Sequence, residues 1–324
     1  MTRTLILGGT AWLGREIAEQ LVARGEDVTC LARGESGAVP SGVTFVRSDR
    51  RVPGAYESVK GRDWNDVIEL AYEADLVAGA LEALADNTQH WTLVSSVSVY
   101  ARNSEPGADE DAALVEPTDL ENYAHAKVAA ERATAEAIGD RLLIARPGLI
   151  AGPGDTSDRF SYWVSRLALA PREPVLVPEV HDRAVQFIDV RDLAEWLIDA
   201  GHRGLTGVYN AVGSEREFST VLLAAAQVAG YAGDLISAND DWLAAHNVNY
   251  WAGLHSLPLW LPRSDAGFAR RSRSRYITAG GTERSLTQTL EDVLVDERTR
   301  GLDRERRSGL TREEEHGLLD KLSR

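Results

Sequence analysis

The first half of the chain alternates short apolar runs with segments whose apolar residues recur at helical spacing. "TLILGG" is followed by an amphipathic stretch from Leu13 to Arg24, and Gly25 then precedes the apolar run "DVTCLA". Further apolar runs are "VTFVRSD", "NDVIEL", "WTLVSSVSVY" and "RLLIARPGLI", with helical patterns in "DLVAGALEALAD" and from about Leu120 to Ile138. Because strands that alternate with helices form parallel sheets covered on both faces, this pattern predicts a doubly wound α/β fold.

The second half of the chain is less regular. Several prolines interrupt a mixed region before "AVQFIDVRDLAEWLIDA" and "GVYNAVG" restore a strand–helix–strand pattern. Near the end, Thr311 precedes Glu314 by three residues, the capping-box signature of a helix start. We expect residues 1–160 to form a dinucleotide-binding domain, with a later contribution from about 185–213. Residues 161–324 are expected to form mainly a smaller, less regular substrate domain.

Composition and charge limit the classes of partner. The chain has 324 residues and a formal net charge of −15, from 35 basic and 50 acidic residues, which disfavours nucleic acid and anionic membranes as partners. The single cysteine, Cys30, lies in an apolar run and is interpreted as a core residue, and the scattered histidines predict no metal site. Since no apolar stretch approaches about eighteen residues and "MTRTLILGG" lacks a signal-peptide pattern, we expect a soluble cytoplasmic protein with a small-molecule substrate.

The stretch "TLILGGTAWLG" has the form of a strand, a glycine-rich turn and a helix. Such a turn points backbone N–H groups outward at the positive end of a helix dipole, where a pyrophosphate can bind. Gly8 and Gly14 occupy the first and third positions of the usual three-glycine pattern, but Ala11 occupies the second. Alanine is compatible with a dinucleotide if its φ is negative, and its methyl group should displace the pyrophosphate slightly. Taken alone, the pattern also fits a plain packing turn.

Two further patterns carry candidate chemistry. "LVSSVSVYA" brings Ser95 and Ser96 to the strand end where a doubly wound sheet holds its ligand. Tyr123 and Lys127 are four residues apart, so on a helix they share a face. A neighbouring ammonium group stabilises a phenolate and lowers the pKa of a tyrosine toward the working range of an acid or base. A solvated helix face is the alternative interpretation of this pair.

Taken in order, these segments resemble the extended branch of the short-chain dehydrogenase/reductase superfamily, the NAD(P)-dependent epimerase/dehydratase type. The resemblance runs from "GGTAWLG" through "NDVIELA", "SSVSVY", "YAHAKVAAE" and "ARPGLIAGPGD" to "FIDVRDLA" and "GVYNAVG". It implies a Rossmann-type sheet and an NAD(P)-dependent enzyme. The remainder of the chain matches only loosely, and that part sets the substrate in such families.

The resemblance also implies roles for individual residues. Ser96 would polarise the substrate oxygen, Tyr123 would donate or accept a proton, and Lys127 would lower the pKa of Tyr123 and bind a ribose. Ser98 could contact the substrate. Asp49 would meet the adenine, and the other residues expected to line the cofactor are Gly8, Thr10, Ala11, Trp12, Leu13, Gly14, Leu70, Ala71, Pro147 and Leu149.

Two departures from the family pattern bear on the cofactor and the reaction. Where NAD-binding relatives carry an acidic residue at the end of the second strand, "CLARGES" has Ala32 followed by Arg33. A guanidinium binds the 2′-phosphate that a carboxylate would repel, so Arg33 favours NADP over NAD, with a solvated arginine as the alternative. The second departure is Ala11, because "GGTxxxG" loops also occur in divergent branches, including reductase-like members and members without the chemistry.

Three functions are consistent with these residues. The favoured one is an NADP-dependent oxidoreductase that transfers a hydride between nicotinamide and a small-molecule carbonyl or alcohol, with Tyr123 as acid/base. The second is an NAD-dependent nucleotide-sugar epimerase or dehydratase. Arg183 lies near the position where epimerase relatives place a pyrophosphate-binding arginine, but its offset to "FIDV" differs by two residues. The third is a non-catalytic NADP-sensing protein, which the presence of both Tyr123 and Lys127 disfavours. By family analogy, the helix containing Tyr123 could form a homodimer.

Two groups of residues in the second half are interpreted as structural and not as parts of a binding site. Trp242, Trp251 and Trp260 recur every nine residues, a period of neither helix nor strand, so we expect them to pack a loop-rich region instead of lining a substrate pocket. The four arginines in "GFARRSRSRY" are expected to form a solvated basic turn instead of a phosphate site.

Overall fold

The computed structural model describes residues 2–323 of the chain. Within them the strands are β1 (Arg3–Leu7), β2 (Asp27–Ala32), β3 (Thr44–Arg47), β4 (Trp64–Glu69), β5 (Thr88–Val94), β6 (Leu142–Ala145), β7 (Leu149–Ala151), β8 (Val175–Pro178), β9 (Ala184–Asp189), β10 (Gly207–Tyr209), β11 (Glu215–Glu217), β12 (Leu235–Ala238), β13 (Asn249–Trp251) and β14 (Ser256–Pro258). The α-helices are α1 (Trp12–Ala23), α2 (Ala74–Leu84), α3 (Tyr123–Ile138), α4 (Ser161–Leu169), α5 (Val190–His202), α6 (Phe218–Ala229), α7 (Asp240–Ala245), α8 (Ser274–Thr278), α9 (Leu286–Arg300) and α10 (Arg312–Leu322). No helix in this range is long and apolar enough to cross a membrane.

Seven strands form one parallel sheet in the order β10–β6–β5–β4–β1–β2–β3. Helices α1 and α5 pack on one face of this sheet, and α2 and α3 pack on the other. This arrangement confirms the predicted doubly wound, Rossmann-type fold. The strand order reverses between β1 and β4, so the carboxyl ends of these two strands border the crevice where such sheets bind ligands.

The alternation of side chains along the strands explains why both faces of the sheet are covered. Leu5, Ile6 and Leu7 are all fully buried, but Ile6 packs into the core under α1 and α5, whereas Leu5 and Leu7 pack under α2 and α3. Cys30 of β2 joins the first of these cores, which confirms its interpretation as a core residue. Burial raises the pKa of its thiol to about 12.

A separate hydrophobic core lies in the second half of the chain. Helices α4, α6 and α9 pack together there with β8 and β9, around large buried side chains such as Trp163, Phe218 and Trp260. Strand β9 belongs to a small sheet with β7 and β11, while α5 and β10 return to the large sheet. This second core also includes Leu149 and Ala151 of β7, and the division of the chain near residue 160 stays a prediction. Thr311 and Glu314 form the predicted capping box at the start of α10.

Three local predictions differ from the structure. Helix α3 begins at Tyr123 and not near Leu120, because the Asn122 side chain caps it by accepting hydrogen bonds from the first turn. The run "RLLIARPGLI" is divided between β6 and β7, which lie in different sheets. The break falls at Arg146, whose side chain is buried among polar partners, and at Pro147, which has no N–H for a strand ladder. The strand predicted from "WTLVSSVSVY" is β5, which ends at Val94, so Ser95 and Ser96 follow the strand and are not part of it.

The prediction of a solvated basic turn is wrong. Arg271 is buried, and its guanidinium stacks 4.3 Å from the centre of the Tyr100 ring. The other three arginines form ion pairs with carboxylates from distant segments: Arg270 with Glu215, Arg273 with Glu283, and Arg275 with Asp111. This segment therefore ties parts of the fold together.

The buried ion pair of Arg146 and Glu131 yields a stability prediction. Two hydrogen bonds join these side chains, at 2.9 and 2.7 Å, and both side chains are about 5 % exposed or less. We expect Glu131→Gln to lower the free energy of unfolding by about 3 kcal/mol, because it leaves a buried guanidinium without its carboxylate. The matched control is Glu116→Gln, which breaks an equally bidentate but exposed pair with Arg132 and should change stability little. Urea denaturation measures both variants, and equal losses would contradict the prediction.

Candidate active site

Each of the three glycines in the turn between β1 and α1 meets a different steric requirement. Gly8 adopts a φ of +99°, a conformation that favours glycine. A methyl group at Gly9 would collide with the Cys30 sulfur of β2. A methyl group at Gly14 would lie 2.7 Å from Leu70 and 2.8 Å from the carbonyl oxygen of Gly8. The sequence therefore lets α1 approach the ends of β1 and β4 closely.

Ala11 fits this turn without strain. Its φ of −79° and ψ of 165° are ordinary extended values, which meets the condition under which alanine is compatible with a dinucleotide loop. Ala11 is the N-cap of α1 and no side chain in the described residues caps the helix, so the first-turn N–H groups, including those of Trp12 and Leu13, are open to a ligand. An anion at this helix start would satisfy them. The slight displacement of a pyrophosphate by Ala11 remains a prediction.

A first cavity of about 270 Å³ lies at the carboxyl ends of β2, β3 and β4. The predicted residues that line it are Gly8, Thr10, Ala11, Arg33, Asp49, Leu70 and Ala71. Arg33 is about half exposed and pairs with the exposed Glu35 at 3.1 Å. A single exposed partner leaves its guanidinium able to turn toward a phosphate. The Asp49 carboxylate accepts a hydrogen bond from the Arg51 N–H at 3.0 Å, which shapes the loop after β3.

The floor of the first cavity is fixed by a buried ion pair that sequence reasoning did not identify. Arg50 binds the Glu69 carboxylate at the end of β4 through two hydrogen bonds, and it donates a third to the Leu76 carbonyl at 2.8 Å. Glu69 also accepts from the Ala71 N–H at 2.8 Å. The loop that carries Leu70 and Ala71 past the expected cofactor is therefore held in place by charge.

A second cavity of about 570 Å³ adjoins the first, and the two share Ala11 and Leu70. It contains all the remaining predicted site residues: Trp12, Leu13, Gly14, Ser96, Ser98, Tyr123, Lys127, Pro147 and Leu149. Trp12 closes one side, with its indole N–H donating to the Pro153 carbonyl at 2.8 Å. The structure thus brings together residues from the first turn, β5, α3 and the β6–β7 connection.

Ser96 and Tyr123 both line the second cavity. Ser96 Oγ donates to Ser98 Oγ at 3.2 Å and accepts from the Ser98 N–H at 3.1 Å. Tyr123 is 45 % exposed as a residue, yet burial of its phenol raises the pKa above the ordinary value of 10.0. The nearby Ser96 hydroxyl and the charge of Arg159 act in the opposite direction. Each hydroxyl can reach one substrate oxygen placed between them.

Lys127 is the buried cation of this site. Its Nζ donates to the Val94 carbonyl at 2.7 Å and lies 4.9 Å from the centre of the Tyr72 ring and 5.8 Å from that of Tyr123. Burial lowers its pKa to about 8, although Glu69 and other carboxylates oppose the shift. Lys127 thus lies on the same face of α3 as Tyr123, within electrostatic range of the phenol. Its effect on the Tyr123 pKa remains a prediction.

Several cavity residues were not predicted from the sequence. Tyr72 packs edge-on against Tyr123, with ring centres 4.9 Å apart, and its place directly after the "IELA" segment could have indicated it. Trp242 and Trp251 pack against the core of the second half and Trp260 is fully buried within it, as expected, but Trp251 also lines the second cavity. Arg159 also lines this cavity, without a sequence signal that marks it.

Arg183 does not lie in either cavity with predicted site residues. Its guanidinium forms an ion pair with Asp240 and donates to the Leu261 carbonyl, and its Nε donates to the Glu179 carbonyl at 2.7 Å. Because all its nitrogens serve the packing of the second half, it is not available for a sugar pyrophosphate.

The residues present fit a bound dinucleotide. The uncapped start of α1 offers N–H groups at the boundary of the two cavities, where a pyrophosphate linking two nucleosides would pass. Ser95 Oγ, on the wall of the second cavity, is buried and has no hydrogen-bond partner among the described residues. Such a group is satisfied when a polar ligand binds beside it.

Comparison with known families agrees with this geometry. The model of the NAD-dependent epimerase/dehydratase family matches residues 4–211, which is well over half of the chain. No curated protein sequence matches the chain significantly.

Several solved structures resemble the chain over nearly its full length. A Burkholderia cenocepacia J2315 protein proposed to be an epimerase is 24 % identical, with a TM-score of 0.70, and the match covers 91 % of this chain and 98 % of that one. The UDP-glucuronic acid 4-epimerase of Bacillus cereus, in complex with NAD, is 14 % identical, with a TM-score of 0.69 and coverages of 93 % and 100 %. The dTDP-glucose 4,6-dehydratase of Bacillus anthracis str. Ames, also with NAD, is 15 % identical, with a TM-score of 0.69 and coverages of 92 % and 97 %. At these identities the likeness establishes the fold.

The buried lysine predicts a pH dependence of stability. The Lys127 pKa is about 8 in the folded, ligand-free protein and returns to about its ordinary value of 10.5 on unfolding. Between these values the unfolded chain binds more protons than the folded one, so this lysine makes stability rise with pH. We expect the wild type to gain stability relative to Lys127→Met over this range, measured by urea denaturation. The control Lys321→Met removes an exposed lysine of α10 and should follow the wild type. Parallel curves for wild type and Lys127→Met would refute the prediction.

Proposed function

Because the chain belongs to the NAD-dependent epimerase/dehydratase family and is thus an NAD(P)-dependent enzyme, we propose that it is an NADP-dependent oxidoreductase of the short-chain dehydrogenase/reductase type. It would interconvert a carbonyl and an alcohol on a small molecule. The observation that carries this proposal is that Ser96, Tyr123 and Lys127 line one cavity beside the uncapped start of α1. A proton donor, an oxygen-binding hydroxyl and a buried cation are the groups that this reaction requires from the protein.

The proposed cofactor spans the two cavities. Arg33 would bind the 2′-phosphate, and Asp49 would lie beside the adenine in the first cavity. The N–H groups of Trp12 and Leu13 would bind the pyrophosphate, and Lys127 a ribose hydroxyl. The nicotinamide would lie beside the segment from Pro147 to Leu149. When bound, the cofactor supplies the transfer of a hydride to or from the substrate carbon.

The proposed proton transfer takes place at Tyr123 Oη. In the reducing direction the phenol gives its proton to the substrate oxygen, and in the oxidising direction the phenolate accepts it. The Ser96 hydroxyl would turn its proton from Ser98 Oγ to the same oxygen and stabilise its developing negative charge. The Lys127 ammonium would favour the phenolate, offsetting the effect of burial on the Tyr123 pKa.

A nucleotide-sugar epimerase or dehydratase is the second candidate function. Family membership favours it, and so do the positively charged Arg159 and Arg307 on the wall of the second cavity. The engagement of Arg183 with Asp240 and two backbone carbonyls counts against it, as does Arg33 at the end of β2. Purified protein that retains NAD and binds a UDP- or dTDP-sugar would favour this candidate over the first.

Removal of the Tyr123 hydroxyl tests the proposed acid/base. We expect Tyr123→Phe to lower kcat by roughly 100-fold or more, because proton transfer to the substrate oxygen loses its donor. Turnover would be followed by nicotinamide absorbance against a panel of aldehydes and ketones, with NADPH affinity measured in parallel and expected to stay unchanged. Tyr209→Phe, in β10 outside both cavities, is the control. An unchanged kcat in Tyr123→Phe would remove this residue from the mechanism. Tight NADPH binding by the wild type without any turnover would favour the non-catalytic sensor.

Substitution of Arg33 tests the cofactor preference. We expect Arg33→Gln to weaken NADPH binding roughly tenfold while NADH binding changes little, because only NADPH carries the 2′-phosphate. Fluorescence titration of the reduced cofactors measures both affinities. Arg47→Gln removes an exposed arginine at the end of β3, outside the cavity, and controls for the change in net charge. A wild type that binds NADH more tightly than NADPH, or equal losses for both cofactors, would overturn the preference for NADP.

A further inference from the structure

The Arg159 guanidinium lies on the wall of the second cavity without a carboxylate partner. Its Nε donates to Ser157 Oγ at 3.2 Å, and the group lies 5.3 Å from the centre of the Trp251 ring. Nowhere in residues 2–323 does a carboxylate come within ion-pair distance of it, in contrast to buried arginines such as Arg50 and Arg146. Its terminal nitrogens are therefore free for a group that enters the cavity.

The Asp155 carboxylate does not neutralise the charge of Arg159. Asp155 raises the pKa of Arg159, but burial lowers it by more. The Asp155 carboxylate is itself occupied, since its two oxygens accept hydrogen bonds from the N–H of Ser157 at 2.7 Å and from its hydroxyl at 2.9 Å. A partly buried cation without a partner is costly, and a ligand anion would relieve that cost.

The loop that carries Arg159 is fastened to the C-terminal segment. Asp158 has a φ of +59°, an uncommon value for aspartate, and its carboxylate accepts the Arg307 N–H at 2.8 Å while pairing with Arg304. Ser308 Oγ donates to the Ser157 carbonyl at 2.8 Å. These contacts hold the loop in an uncommon conformation and bring Arg307 to the same cavity.

We propose that Arg159 is a specificity-determining residue that binds an anionic group of the substrate, a carboxylate or a phosphate, in the cavity that holds Tyr123. Arg307 adds a second positive charge at this cavity, and Trp251 and Phe268 supply apolar wall for the rest of the substrate. The assignment of this anion to the substrate rests on the proposed function. The geometry itself points only to an anion at this position.

The charge of the whole chain strengthens this inference. A net charge of −15 repels anionic substrates at long range, so a site for one must supply its own positive charge. A guanidinium suits this task because its planar fork can bind two oxygens of one carboxylate or phosphate. We therefore expect substrates with a carboxylate or phosphate near the reacting carbonyl to be turned over better than neutral analogues.

The first test measures anion binding without turnover. The full chain is saturated with NADP, so that the start of α1 is occupied, and then titrated with inorganic phosphate or malonate while tryptophan fluorescence and heat are recorded. We expect Arg159→Gln to weaken binding of the preferred probe by at least about tenfold, and Arg159→Lys to weaken it less. Arg172→Gln removes an exposed arginine remote from the cavity and should behave as the wild type. Preference for phosphate or malonate identifies the chemistry of the anionic group.

Two results would overturn the inference. One is a wild type that binds neither probe, and the other is an Arg159→Gln variant that is folded, as shown by its melting curve, and binds them as the wild type does. Tyr123→Phe separates this inference from the proposed function, because it should abolish turnover but leave probe binding intact. Loss of probe binding in Arg159→Gln would thus support the anion site even if Tyr123→Phe showed that the proposed reaction is wrong.

Discussion

The close approach of α1 to the end of β4 is the contact on which both cavities depend. Gly14 leaves no room for a side chain between Leu70 and the carbonyl oxygen of Gly8. This contact sets Ala11 and Leu70 at the boundary that the two cavities share, and it aims the uncapped helix start at that boundary. A larger residue at position 14 would push α1 away and separate the phosphate site from the sheet. Glycine is therefore needed at position 14, the third position of the dinucleotide pattern. Alanine is tolerated at the second position because the φ of Ala11 is negative.

Buried ion pairs fix the walls around that boundary. Arg50 with Glu69 holds the loop after β4, and Arg146 with Glu131 joins the β6–β7 connection to α3. Such pairs add little net stability, but each one is costly to break, so they define a geometry more than they strengthen it. Against this background an arginine without a carboxylate stands out. The Arg159 side chain is held by a hydrogen bond from its Nε to Ser157 Oγ, and its charge is left for a ligand.

The sequence was sufficient for features that depend on local pattern. Alternating apolar runs predicted the doubly wound parallel sheet, because the burial of both faces leaves a direct trace in its central strands. The order of Gly8, Ser96, Tyr123 and Lys127 along the chain predicted one shared site, because parallel strands end at the same edge of a sheet. Gly8, Ser96 and Tyr123 lie at or just beyond the ends of regular elements, and Lys127 lies one helical turn into α3, so their positions follow from the elements themselves.

Features that depend on distant partners could not be predicted in this way. The break at Arg146 is explained by Glu131 on a helix, and three of the four arginines after Phe268 bind carboxylates from other segments. Arg159 lies over the Trp251 ring, and the loop that carries Arg159 is tied to the C-terminal segment by Asp158. No local pattern encodes such a meeting, since both residues would read as surface or packing residues in isolation. The substrate side of the second cavity is formed mainly by such contacts between distant segments. Its chemistry could therefore be inferred only from the structure.

The same ion pairs determine the electrostatic setting of Lys127. Glu69 and Glu131 both favour its charged form, but each carboxylate is already bound to an arginine, so little negative potential remains for the lysine. Burial then prevails, and the pKa falls to about 8 instead of rising. A lysine directly paired with a carboxylate would keep its proton at all physiological pH values and would be screened from the phenol. By directing the carboxylates to arginines, the fold leaves Lys127 as a poorly solvated cation whose nearest neighbours are a carbonyl and two tyrosine rings. A phenolate on Tyr123 would be the anion that this cation lacks, which is the physical basis for expecting the proton to leave that tyrosine.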